Sequence, residues 1–135
     1  MENQTQSTFQ FLGYLVQKAE ISIPQKHIDE DEFEIEITPS GVCSGDRFNL
    51  LLKVDVTNVD KSFSAKIEII GFYHFKQGCE VVDDFFLLNA PAILFPYVRA
   101  YISTLTAISG GPTIIPPTLN LTSLADKLRK NIIFN

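Results

Sequence analysis

Between Phe33 and Ile69 apolar and polar residues alternate with a period of two in three separate runs, and beyond Phe85 that period gives way to one near 3.6. A chain that changes period once in this way folds most simply as an α+β domain, with the sheet first and helices laid on it afterwards. In the first run Phe33, Ile35 and Ile37 alternate with Glu34 and Glu36, the pattern of a half-buried strand with one wet face. Phe48, Leu50, Leu52, Val54 and Val56 form the second run, and Phe63, Ala65, Ile67 and Ile69 the third. The polar turn through Asn58, Asp60 and Lys61 predicts that these two strands form a hairpin. A fourth strand is expected over residues 14–23, with Leu15, Ala19, Ile21 and Ile23 on one parity and Gln17 out of pattern. Pro24 then takes the chain out of the sheet, and residues 24–32 form a polar connection.

Residues 76–84 mix charge, Gly and Cys, which suits an exposed link from sheet to helix. Asn89 is placed to cap a helix with Pro91 in its first turn. If that helix runs to about Ser109 it must pass Pro96, which removes one hydrogen bond and predicts a bend near Phe95. Leu94, Val98, Tyr101, Leu105 and Ile108 make its apolar stripe, and Ile93, Tyr97, Ala100 and Ile102 widen the stripe beyond what four strands can cover. Either the helix is centrally buried or it lies between its own sheet and another subunit. In so small a domain the second is favoured, so a homo-oligomer is expected. Gly110-Gly111-Pro112 stops the helix, Pro116-Pro117 keeps the next segment extended, and Asn120 or Thr122 caps a terminal helix carrying Leu124, Leu128 and Ile132 on one face.

A length of 135 residues predicts one domain, residues 1–135, and 45% apolar with 20% charged residues excludes a disordered or collagen-like chain. The net charge of −5 offers no field for nucleic acid, and Lys127, Arg129 and Lys130 read as a solvated helix face. The most apolar stretch, residues 85–98, is interrupted by Asn89, Pro91 and Pro96 and falls short of the about 20 residues that a membrane span needs. Residues 1–8 have neither the cationic start nor the apolar run of a signal peptide, so a cytoplasmic location is expected. Cys43 and Cys79 lack metal or redox spacing and are expected to be free thiols. His27 and His74 stand beside no nucleophile motif, and the acidic run at 27–32 reads as a solvated loop rather than a metal site. Neither catalysis nor a cofactor is expected. One feature is unusual: Ile114, Ile115, Leu119 and Leu121 sit among prolines where loops are normally polar, close in sequence to Phe95 and Tyr97. These residues either cap the core or form one wall of a hydrophobic groove for extended peptide.

The run Asn89-Ala90-Pro91-Ala92-Ile93-Leu94-Phe95-Pro96-Tyr97-Val98-Arg99, followed by Ile102-Ser103 and a Gly-Pro loop ending Leu119-Asn120-Leu121, resembles the SecB export-chaperone family. Its most specific part is Ile-Leu-Phe-Pro-Tyr-x-Arg. The order of four strands before two helices, and Gly71-Phe72-Tyr73 at a strand end, extend the resemblance over most of the chain. The resemblance implies a four-stranded antiparallel Greek-key sheet followed by two helices, assembled as a homotetramer that is a dimer of dimers. It also implies a chaperone without ATPase activity that holds unfolded polypeptides, preproteins for Sec-dependent export, in hydrophobic grooves. The expected groove residues are Phe33, Ile35, Ile37, Phe95, Tyr97, Ile114, Ile115 and Leu119. Exporting members present acidic residues on the sheet to the translocation ATPase SecA. Here only Glu20 matches, Pro24 and Lys66 occupy corresponding places, and little chain follows the last helix to serve as a polar tail. Two alternatives stay open beside export: a dedicated SecB-like chaperone of a toxin–antitoxin system, and a structural or small-ligand oligomer whose apolar loop only seals an interface.

Overall fold

The alternating runs become long strands. The structure, a computed structural model, describes residues 9–28, 32–80, 82–117 and 119–135. It runs β1 (Phe9–Ser22), β2 (Phe33–Ser44), β3 (Arg47–Asn58), β4 (Ser64–Phe75), α1 (Asp84–Ile108), α2 (Leu124–Arg129) and β5 (Ile132–Phe134). The strand order is β1-β4-β3-β2-β5. Strands β2, β3 and β4 are joined as antiparallel hairpins, β1 lies antiparallel beside β4 to complete a Greek key, and β5 lies parallel on β2. The sheet is therefore five-stranded and mixed, not four-stranded and antiparallel. The difference arises at the end of α2, which is only six residues long. Ile132, expected on its apolar face, instead opens the run Ile132-Ile133-Phe134, whose β-branched and aromatic residues favour pairing with the open edge of β2.

One face of the sheet carries the core. Phe48, Leu50, Leu52, Val54 and Val56 of β3 and Ala65, Ile67, Ile69, Tyr73 and Phe75 of β4 are buried there, and α1 covers them with Phe86, Leu87, Ala90, Leu94, Val98 and Ile102. Each such large side chain contributes roughly 1.5–3 kcal/mol by leaving water. The Phe86 ring meets Phe9, Phe48, Tyr73 and Phe75 at centroid distances of 4.9, 4.8, 5.2 and 4.7 Å. The Tyr73 hydroxyl donates to the Ala90 carbonyl at 2.8 Å, and burial pushes its ionisation well above the ordinary phenol range. Gly41 in β2 has no room for a side chain, because a Cβ there would lie 2.3 Å from Phe48 Cζ.

Strand β1 begins at Phe9, earlier than expected, and contains two bulges, at Leu12 and Gln17, where the register with β4 skips. Each bulge moves the following side chains to the other face. Val16 therefore joins Ala19 and Ile21 toward the core, and Leu15 is left exposed. Helix α1 also starts earlier: its N-cap is Asp83, whose carboxylate accepts from the Phe86 amide at 3.0 Å, while Asn89 donates its side-chain amide to the Phe85 carbonyl. Both Pro91 and Pro96 are interior to the helix. The early start is favoured because Phe86 and Leu87 supply buried surface that a start at Asn89 would forfeit. At 25 residues α1 is long and apolar enough to cross a membrane, longer than the run read from sequence, and here it is the cover of the sheet. At the other end, α2 is preceded by Ser123 without a side-chain cap, and Asn120 instead accepts from the Thr122 amide.

Cys43 and Cys79 are joined in a disulfide rather than free. Strand β2 continues through Gly41 to Ser44, and the hairpin closes at Gly45-Asp46, with Gly45 at φ 63°. The Cys79 amide donates to the Gly45 carbonyl at 3.0 Å, which brings the two Cα atoms to 5.9 Å, within bridging range.

Candidate functional site

The site begins with the backbone of β2. Gly41 donates to the Asn131 carbonyl at 2.9 Å and Asn135 donates to the Cys43 carbonyl at 2.8 Å, so the odd-numbered residues there turn their backbone groups away from β3. The β2–β3 register runs without a shift from Phe33 to Ser44, so the same parity holds along the strand. Phe33, Ile35 and Ile37 therefore present N–H and C=O groups at the edge beyond β5, and Pro39 presents only its carbonyl.

Facing that edge is the segment that leads into α2. Ile35 and Ile37 on one side and Leu119, Leu121 and Leu124 on the other bound a cleft of about 810 Å³, which is lined also by Glu34, Glu36 and Asp55 and by Lys61, Lys66 and Lys127. A second cleft of about 440 Å³, lined by Leu88, Ala92, Phe95, Pro96 and Arg99, adjoins the same residues Leu119, Asn120 and Leu121. The intervening loop is anchored on α1 by two side-chain bonds: the Ile114 amide donates to Thr106 Oγ1 at 2.9 Å, and Arg99 Nε donates to the Pro116 carbonyl at 3.0 Å. Arg129 of α2 pairs with Asp84 at the start of α1 and with Asp126 at 2.8 Å. The larger cleft thus combines apolar side chains, of which Ile37 and Leu124 are buried and Ile35, Leu119 and Leu121 half-buried, with a lining that is largely polar and charged, beside the open backbone groups of β2.

Four of the expected groove residues come together here. Ile35, Ile37 and Leu119 line the larger cleft, and Phe95 and Leu119 the smaller. Phe33 lies on the same strand, half-buried edge-to-face on Phe63 at 5.8 Å. Three others lie elsewhere. Ile114 is 1% exposed and belongs to the core, drawn in by its bond to Thr106. Ile115 is 65% exposed and lines neither cleft, and Tyr97 is on the opposite flank of α1, stacked on Tyr14 at 4.3 Å. Glu20 is on the solvent face of the sheet, opposite Lys66 and 3.3 Å from the Lys18 ammonium. Within the acidic run at 27–32, residues 29–31 lie outside the described residues, as do residues 1–8. Sequence reasoning missed Leu124 and Arg99 as cleft residues. It also missed a further cleft of about 650 Å³ beside Phe9, Phe11, Phe85 and Ile93, for which the alternation Phe9-Gln10-Phe11 was the available signal.

No protein-family model matches the chain. An uncharacterized protein of Methanocaldococcus jannaschii is 26% identical over 137 residues, covering 92% of this chain and 86% of that protein. Protein-export protein SecB of Anaplasma marginale is 27% identical over 101 residues in each of two strains, covering 71% of this chain and 57% of the SecB protein. The match thus spans little more than half the length of those SecB proteins. In three dimensions the chain is similar to the Mycobacterium tuberculosis Rv1957 SecB-like chaperone, solved in complex with a ChAD peptide from the Rv1956 HigA1 antitoxin. The TM-score is 0.68 at 14% identity, over 83% of this chain and 90% of that one. A Streptococcus agalactiae protein of unknown function shares the fold less closely, with a TM-score of 0.51 at 14% identity over 82% of this chain and 97% of the other.

Proposed function

We propose that this chain, SecB-like in sequence and in fold, is a non-enzymatic holdase chaperone that binds extended apolar segments of non-native polypeptide in the cleft between β2 and the segment 119–124. The observation that carries the reading is the pairing of open backbone groups at Phe33, Ile35 and Ile37 with an apolar wall at Leu119, Leu121 and Leu124. Backbone hydrogen bonds do not depend on side-chain identity, and apolar burial gives roughly 1.5–3 kcal/mol for each fully buried side chain, so such a cleft selects exposed apolar chain rather than one sequence. Folded proteins rarely offer a long open strand edge together with a continuous run of uncovered apolar side chains.

The reading extends to a homotetramer, a dimer of dimers. It is supported by α1, which leaves Phe85, Leu88, Tyr97, Tyr101 and Ile108 exposed, the last at 75%. It extends also to preprotein clients in the cytoplasm, handed to SecA through the sheet face that carries Glu20. A disulfide is unusual in that compartment, where thiols are kept reduced, and burial of both cysteines slows thiol attack on it. A second reading keeps the fold and changes the client to a single antitoxin, and it is favoured by the antitoxin peptide held by the M. tuberculosis SecB-like chaperone.

The test is fluorescence anisotropy of a labelled, chemically unfolded polypeptide, with its folded form as control. Saturable binding of the unfolded form alone is expected, weakened at least tenfold by Leu119→Asp with Leu121→Asp while circular dichroism stays unchanged. Equal affinity for folded and unfolded forms, or an unaffected double variant, would overturn the reading. Loss of SecA affinity on Glu20→Lys distinguishes export from the single-client alternative.

A further inference from the structure

The edge of β2 is already occupied at one end. Residues Ile132, Ile133 and Phe134 pair in parallel with Gly41, Val42 and Cys43, between the bonds from Gly41 to Asn131 and from Asn135 to Cys43. Only Pro39 separates this stretch from the open groups at Phe33, Ile35 and Ile37. The occupant has the chemistry of the ligand proposed above: it is extended, uncharged, β-branched and aromatic. Its seat is shallow, because Ile133 is 62% and Phe134 56% exposed while only Ile132 packs against the core. It is attached through Asn131 directly behind a six-residue helix. The accepting strand is held more firmly than its occupant, since Cys43 is bridged to Cys79 and all of β2 is paired with β3.

We infer that the edge at Gly41, Val42 and Cys43 is a strand-accepting subsite for extended apolar peptide, and that residues 131–135 occupy it as a displaceable stand-in for client. The inference rests on the reading of β2 as the client-binding edge. It gives the subsite a direction and a pattern: the incoming segment runs parallel to β2, and its residues at the Ile132 and Phe134 positions face the side of the sheet where Ile132 packs. Displacing β5 would lengthen the available edge from Phe33 to Cys43, so that one client segment could span both subsites.

The test uses the chain ended after Lys130 and a dye-labelled peptide of residues 131–135, Asn-Ile-Ile-Phe-Asn, followed by anisotropy. Saturable binding to the shortened chain is expected, with at least tenfold weaker binding to the full chain and loss of binding when the Ile133 amide of the peptide is N-methylated. An unfolded polypeptide should bind the shortened chain at least threefold more tightly than the full one. A labelled peptide that ignores the shortened chain, or binds both chains equally, overturns the inference, as does peptide binding accompanied by unchanged client affinity. Peptide binding to the shortened chain, with neither chain binding any unfolded polypeptide, leaves the subsite standing and refutes the holdase reading. If circular dichroism shows the shortened chain unfolded, Ile133→Asp with Phe134→Asp in the full chain replaces it. That variant should speed hydrogen exchange at Cys43 and gain affinity for client, and unchanged exchange and affinity overturn the inference.

Discussion

Reduction of the Cys43–Cys79 bridge should destabilise the chain strongly without altering its sequence. The bridge joins residues with a sequence separation of 36, from the end of β2 through the β3–β4 hairpin to the loop before α1. In the chain-entropy treatment a loop of that length restricts the unfolded state by about 3.8 kcal/mol at 25 °C. With an unfolding entropy of about 2.1 cal/mol/K per residue, that loss lowers the melting temperature by about 13 °C. The two sulfurs sit among bonds that survive reduction, notably the Cys79 amide to the Gly45 carbonyl, so the native contacts should persist in the reduced chain and the effect should fall on the unfolded state. Calorimetry of the oxidised chain, of the chain in a phosphine reductant and of Cys43→Ala with Cys79→Ala checks this. The reduced chain and the double variant should melt together, well below the oxidised chain. A shift of less than about 3 °C, or one under 1 kcal/mol, would refute the assignment of the bridge as a restraint on the unfolded chain.

Thr106→Val keeps shape but removes the buried acceptor of the Ile114 amide, and should destabilise the chain by about 1–3 kcal/mol; urea unfolding reads the loss and hydrogen exchange at Ile114 locates it in the loop. Asp60 pairs with Lys26 and accepts from Ser62, and these partners, Lys26 foremost, hold its carboxyl below the ordinary carboxylate range. Because the folded value lies below the unfolded one, the turn should keep its stabilisation above the unfolded pKa of about 3.9 and lose it as pH falls through the folded value. An NMR titration of Asp60 with its midpoint at about 3.9 would show that the Lys26 contact does not persist in solution.

The long strands were legible because their faces differ: Phe48 to Val56 and Ala65 to Ile69 alternate between core and solvent with nothing to interrupt the count. In β1 the count fails at Gln17, and the sequence showed the break without showing that a bulge would hand the core position from Leu15 to Val16. Ile132 lies four residues beyond Leu128, so local spacing favoured helix, and only the distant edge of β2 makes it strand. Asn89 before Pro91 is a sound cap by local rules, overridden by the buried surface of Phe86 and Leu87. The disulfide and the burial of Ile114 depend on which loops meet in space, information that spacing along the chain does not hold. Within the cleft, strand residues Ile35 and Ile37 could be anticipated from alternation, whereas the loop residues depended on how Thr106 and Arg99 anchor their backbone.

The pairing of β1 with β4 has a consequence for synthesis. Phe9 ends opposite Phe75, and Ser22 opposite Ser64, so the strand that is made before the others has no partner until the last hairpin strand has been translated. At about 5–20 residues per second, the stretch from Phe9 to Phe75 takes roughly 3–13 s, during which Phe9, Phe11, Val16 and Ile21 are uncovered beside the ribosome. Meanwhile β2, β3 and β4 can form their hairpins from neighbouring sequence, with little loop entropy to overcome. If the proposed function holds, the growing chain is for those seconds itself of the kind that a folded copy would bind.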